Sequence, residues 1–220
     1  MTWVKICGMT NLEDALVAVE AGVDALGFVF YAGSPRKVDV ETARGMVAEL
    51  PERLEKVGVF VNECEDKICE AVDRAGLTAV QLHGDDQDPH LADLLVSRRA
   101  QVKILAGISM HLPNPAGWAM KWRPDVVHAY LVDSGTSSKP GGTGEPFDWA
   151  ASAPKIDVIR RLGNVVIAGG LRPSNVASAL DVLKPWGVDV ASGVEAWPGK
   201  KDPEMVRAFV QAVRRTETSA

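Results

Sequence analysis

Cysteine is scarce in this chain, and the little present forms no pattern. Cys7, Cys64 and Cys69 are the three among 220 residues, an odd number with no histidine or second cysteine pair to complete a zinc site. That argues against a disulfide framework and a thiolate metal centre, and it points to a reducing compartment. Excess positive charge is missing too. Lysine and arginine number 24 against 29 aspartates and glutamates, a net charge of −5, which argues against nucleic acid or an anionic membrane as the main partner. No apolar run approaches the roughly 18 residues of a membrane-spanning helix. The opening MTWVKIC lacks the basic, apolar and cleavage regions of a signal peptide, so the expected location is cytoplasmic. Linkers and low-complexity tracts are also lacking. One domain over residues 1–220 is expected, with 216–220 as a frayed tail.

What is present is a regular alternation. Apolar, β-branched runs predict strands over residues 3–7, 25–30, 57–61, 79–83, 102–106, 129–133, 165–168 and 188–191. Amphipathic stretches predict helices over 12–21, 40–50, 66–75, 89–98, 115–121, a weak short one after Phe147, then 173–183 and 203–215. Thr10-Asn11 and Pro173-Ser174-Asn175 supply good helix starts. Eight strand–helix units without a second domain predict an α/β fold, a (βα)8 TIM barrel with a closed, parallel eight-stranded sheet. A doubly wound open sheet uses the same alternation and is the competing reading.

In such a barrel the active site gathers at the carboxyl ends of the strands. Period-two alternation turns Lys5, Cys7, Gln81, His83, Leu131, Asp133, Asp189 and Ala191 inward. Polar residues thus collect at the strand tips. Glycines follow the sixth, seventh and eighth strands as Gly142-Thr143-Gly144, Gly169-Gly170 and Ser192-Gly193. Phosphate is commonly seated there on backbone N–H groups, so Gly142, Gly144, Gly169, Gly170, Ser192 and Gly193 are the candidate phosphate-binding residues. The long 135–146 loop has the composition of a closing lid.

Seven segments carry a specific resemblance: KICGMT (5–10), FVF…SPR (28–36), GVFVN (58–62), VQLHGD (80–85), LVDS…GGTG…FDW (131–149), AGGLRPSNV (168–176) and DVASGVEAWPGKKD (189–202). In that order they resemble the phosphoribosylanthranilate isomerase family of tryptophan biosynthesis, over nearly the whole chain. The resemblance implies a cofactor-free barrel catalysing an Amadori rearrangement of a phosphorylated small-molecule substrate, acting as a monomer or homodimer. It puts Asp133 in the general-acid position, Cys7 in the general-base position and Arg36 at the substrate's carboxylate. An aspartic acid at its ordinary pKa of about 3.9 is protonated in only about one molecule in a thousand at pH 7, so Asp133 needs an upward push. A thiol at about 8.5 is some three per cent ionised at neutral pH, and Lys5 on the same face is expected to lower Cys7 modestly.

Each residue also has a plainer reading. Cys7 alone could be an inert buried cysteine, Asp133 a helix cap and Arg36 a solvated charge. His83 could touch substrate or be a hydrogen-bonded core histidine. Asp189 could contact substrate or pair with Lys5, and Lys200-Lys201-Asp202 could be a solvated turn. Ala191 departs from the serine usual in the family, so one side-chain contact near the phosphate is expected to be lost, while a backbone-based phosphate site would survive the change. The alternative functions are a histidine-pathway or dual-substrate Amadori isomerase, which would carry aspartate in place of Cys7, and a non-catalytic barrel that binds a phosphorylated ligand.

Overall fold

The computed structural model describes residues 1–84, 87–99, 101–135 and 146–218. Its strands and helices alternate as the periodicity predicts: β1 (Trp3–Cys7), α1 (Leu12–Ala21), β2 (Ala25–Val29), α2 (Val40–Val47), β3 (Glu55–Val61), α3 (Glu65–Ala75), β4 (Ala79–His83) and α4 (His90–Arg98). The second half continues with β5 (Lys103–Ser109), α5 (Pro115–Ala119), β6 (Val127–Asp133), α6 (Trp149–Arg160), β7 (Asn164–Ile167), α7 (Val176–Leu183) and β8 (Gly187–Val190). A 3-10 turn (Ser192–Val194), a small hairpin of β9 (Glu195–Trp197) and β10 (Lys200–Lys201), and α8 (Pro203–Thr218) complete it. The eight long strands close in sequence order, with β8 pairing back onto β1. An open sheet is thereby ruled out.

Two layers of apolar packing follow from the strand alternation. Outward side chains such as Val4, Ile6, Val80, Leu82, Tyr130, Val132, Val188 and Val190 join the helices in the large outer core. Burial of each such aliphatic group contributes about 1.5–3 kcal/mol. Inward side chains Trp3, Ala25, Val57, Ala79, Leu105, Ala129, Leu131 and Val166 fill the lower barrel. Trp3 stacks on Trp186 beneath them, ring centroids 5.2 Å apart.

The helix ends follow from local chemistry. The Asn11 and Asp39 side chains accept N–H bonds from Asp14 and Thr42, starting α1 and α2. Gly22 and Gly76 end α1 and α3 in the left-handed region. Three departures from the sequence reading stand out. The weak sixth helix is a full 12 residues despite Pro154 within it, started by Asp148 accepting from Ala151 N–H. The hairpin of β9 and β10 was not foreseen. And α8 extends through Thr218, three residues past the expected end of the last helix.

Candidate active site

The β1 ladder fixes what surrounds Cys7. Register sets Lys5 opposite Asp189 of β8, and Cys7 opposite Gly27 of β2. A Cβ on residue 27 would fall 2.7 Å from Cys7 Sγ, so glycine here makes room for the sulfur. Lys5 is fully buried, and its Nζ donates to Asp189 Oδ1 at 3.0 Å and to Gln81 Oε1 at 2.9 Å. Asp189 thus pairs with Lys5. These three residues form a polar layer inside the barrel, just below the thiol.

Electrostatics follow from that layer. Burial pulls the Lys5 ammonium down, but Asp189 and then Cys7 outweigh it and leave Lys5 raised. Burial pushes the Cys7 thiol up, and Lys5 and Lys201 only partly offset that, with Asp189 adding to the rise. The modest lowering expected from Lys5 alone is thus overturned, because a buried thiolate loses more hydration than one lysine returns. Burial also raises the Asp189 carboxyl against the pull of Lys5, and the charge of Asp133 adds to the rise. Asp189 therefore feels Asp133 on one side, while Cys7 feels Asp189 on the other.

Asp133 closes β6 and is buried. Its Oδ1 accepts from Gly135 N–H at 2.6 Å, and Ser109 at the end of β5 donates to Gly135 O at 2.6 Å. Around the ring, β7 and β8 alone separate β6 from β1. His83, closing β4, is buried too, and its Nδ1 has no partner among the described residues.

Gly169 and Gly170 follow β7 with φ of +80° and +67°, and Asn175 holds them by donating to Gly170 O at 3.0 Å. Ser192 and Gly193 open the turn after β8. A Cβ on residue 193 would lie 1.8 Å from Leu171 O, so glycine lets this turn press against the one after β7. Gly142 and Gly144 lie outside the described residues.

Arg36 is held within the fold. It is no solvated charge: its Nε and Nη2 donate to Glu195 Oε1 and Oε2 at 2.8 and 2.7 Å, and its side chain is 11% exposed. Glu195 raises the Arg36 guanidinium, and Arg36 with Lys201 holds the Glu195 carboxyl below its ordinary value despite burial. Lys201 is no solvated turn either. It is buried, and its Nζ donates to Glu195 Oε1 at 2.9 Å, Cys7 O at 2.7 Å and Ala191 O at 3.1 Å. Sequence reasoning missed Gly27, Glu195 and the burial of Lys201. The Pro198-Gly199 pair between short β-like runs was the available hairpin signal.

Among the described residues no three His, Cys, Asp or Glu groups converge to hold a metal ion. A cavity of about 380 Å³ sits at the other end of the barrel, against Trp3, Asp24, Leu54 and Glu55, and includes none of the tip residues.

Residues 4–212 match the family model for N-(5'phosphoribosyl)anthranilate (PRA) isomerase. The N-(5'-phosphoribosyl)anthranilate isomerase of Citrifermentans bemidjiense is 43% identical over 215 residues, 98% of either chain. A crystal structure of the Thermotoga maritima phosphoribosyl anthranilate isomerase superimposes with a TM-score of 0.86, at 40% identity, covering 98% of this chain and 100% of that one. Another solved phosphoribosyl anthranilate isomerase, in complex with reduced 1-(o-carboxyphenylamino)-1-deoxyribulose 5-phosphate, matches with a TM-score of 0.83, at 40% identity and 98% and 100% coverage.

Proposed function

The chain belongs to the N-(5'-phosphoribosyl)anthranilate isomerase family, and from that premise we propose that Asp133 and Cys7 perform its acid–base chemistry. The reaction is the conversion of N-(5-phospho-β-D-ribosyl)anthranilate to 1-(2-carboxyphenylamino)-1-deoxy-D-ribulose 5-phosphate. Asp133 gives a proton to the furanose ring oxygen as the C1–O bond breaks, leaving a protonated imine at C1. The cationic imine acidifies C2–H, and the Cys7 thiolate removes that proton to give an enolamine. Ketonisation moves the enol proton onto C1, so atoms and electrons balance as an isomerisation. Asp133 recovers its proton and Cys7 releases the one it took.

The single observation that carries this reading is that both residues close strands on the same rim of the barrel. Cys7 ends β1, Asp133 ends β6, both are buried, and Asp189 between them is coupled electrostatically to each. Gly169, Gly170, Ser192 and Gly193 stand on that rim after β7 and β8, where a barrel seats phosphate. Arg36 would take the substrate's carboxylate. Glu195 occupies the Nε–Nη2 edge of its guanidinium, and the edge between Nη1 and Nη2 is the one suited to that ligand. His83, whose Nδ1 has no partner among the described residues, is a further substrate contact in this scheme. A histidine-pathway isomerase would need an aspartate where this chain has Cys7.

The test is the loss of phosphoribosylanthranilate fluorescence on adding purified protein. Cys7→Ser is expected to cut kcat by orders of magnitude while a reduced product analogue still binds. Equal losses in binding and turnover would overturn the catalytic assignment. Arg36→Met is expected chiefly to raise KM, and an unchanged KM would move carboxylate recognition elsewhere.

A further inference from the structure

Taking Cys7 as the base, we propose that Lys201 is its positioning residue, tying down the tip of β1 and fixing a positive charge beside the thiol. An ammonium has three donors, and all three of Lys201 are used. Two go to the carbonyls of Cys7 and Ala191, on the adjacent tips of β1 and β8, and the third goes to Glu195 Oε1. Strand tips lose ladder bonds where the sheet ends. Lys201 replaces them at the residue whose side chain is to react.

Docking of the hairpin does not require this side chain. The buried Asp14 of α1 already holds β10, accepting from Lys201 N–H at 2.7 Å and from Lys200 Nζ at 2.6 Å. Burial lowers the Lys201 ammonium, with Glu195 opposing, so the charge is kept at a cost that an apolar residue would avoid. Packing gives no reason for that cost, whereas the thiol does.

Beside the uncharged Val29, Tyr31 and Val59 packed with Cys7, its charged neighbours come from several elements. Lys5 lies on its own strand, Asp189 on β8, Arg36 after β2, and Lys201 on β10, with Glu195 of β9 joining the last two. Asp189 neutralises Lys5. Glu195 is shared between Arg36 and Lys201, so one positive charge stays in excess beside the sulfur. The same carboxylate holds Arg36 in its fork, so a single residue links the guanidinium to the strand that carries the thiol.

The experiment compares Lys201→Met, Lys201→Gln and Lys201→Arg with the parent protein. It reads iodoacetamide alkylation of Cys7 against pH by peptide mass spectrometry, beside the pH profile of kcat/KM. Removing the charge is expected to move both midpoints alkaline by about one unit, slowing alkylation at pH 7.5 about tenfold. KM should change less than kcat, and Lys201→Arg should restore most of the loss. Gln keeps an N–H donor for the carbonyls, so it decides the matter if the Met variant does not fold. Alkylation and rate profiles that superimpose on the parent's, whatever happens to Tm, would overturn the proposal and leave Lys201 a structural residue. Alkylation needs no turnover. If Cys7→Ser proved fully active, the functional reading would fail while the role of Lys201 toward the thiol was still decided.

Discussion

Adding one methyl group at Gly27 is expected to disable the enzyme without unfolding it. The Cβ of Gly27→Ala would sit 2.7 Å from Cys7 Sγ and 3.1 Å from both Cys7 Cα and Lys5 Cε. Ordinary contacts between such atoms are about 3.5–4.0 Å, so the sulfur has to retreat by about 1 Å. The backbone cannot absorb this, because Cys7 is laddered to β2 and its carbonyl is held by Lys201. A reacting atom misplaced by about 1 Å costs on the order of a hundredfold in rate, about 2.7 kcal/mol of barrier. Overpacking of this kind costs about 1–3 kcal/mol of stability, a fall in Tm of some 2–12 °C for a domain this size. The fluorescence assay at 25 °C, with thermal melts alongside, separates the two effects. Gly45→Ala is the control, since a Cβ there in α2 meets nothing within 4 Å. Should Gly27→Ala retain kcat/KM within about threefold of the parent, far short of the expected hundredfold, the placement of the thiol is not what sets the rate.

The buried pair inside the barrel should behave asymmetrically. Lys5→Met strands Asp189 and is expected to cost about 3–5 kcal/mol in urea unfolding, whereas Lys5→Met with Asp189→Leu should recover much of that loss. A double variant as unstable as the sum of the single ones would contradict the pairing. Tyr130 is enclosed with no partner for its hydroxyl among the described residues, and burial pushes its pKa up to about 12. The folded state keeps that proton while the unfolded chain releases it near pH 10, so the stability this difference confers is intact below pH 10 and lost as pH rises toward 12. Tyr130→Phe should flatten that loss in alkaline melts; an unchanged slope would show that the hydroxyl finds a partner. Because the Cys7 thiol is raised, the rising limb of kcat/KM in the free enzyme should have its midpoint above that of an ordinary thiol. A midpoint well below that of an ordinary thiol would mean the site is more open, or more positive, than its burial indicates.

The barrel was legible because its signals are local. Val4, Ile6, Val80 and Leu82 alternate with Lys5, Cys7, Gln81 and His83 within single strands, and the first and fourth strands match the reading end to end. The tips of β1, β4 and β6 followed from the same count, and with them Cys7, His83 and Asp133. What escaped notice depends on distant partners. Lys201 next to Lys200 reads as a solvated pair, and its burial rests on a carbonyl 194 residues earlier. Arg36 reads as free, and Glu195, which holds it, is 159 residues away. The direction of the Cys7 shift was missed for the same reason, since enclosure is set by the completed barrel. In α6, Pro154 and a poor apolar stripe hid a helix that its Asp148 cap starts and its packing on Ile156 and Ile159 sustains.

Closing the ring between its first and last members has a consequence for biosynthesis. Cys7 is among the first residues to leave the ribosome, yet β8, Asp189 and Lys201 that surround it come some 180–195 residues later. A nascent chain can lay down its helices and most of its sheet as it emerges, but its nucleation cannot include this seam until synthesis is almost complete. If Cys7 is the base proposed above, catalytic competence is acquired only late in synthesis, and any product terminated ahead of Lys201 carries the thiol without the lysine that holds its carbonyl.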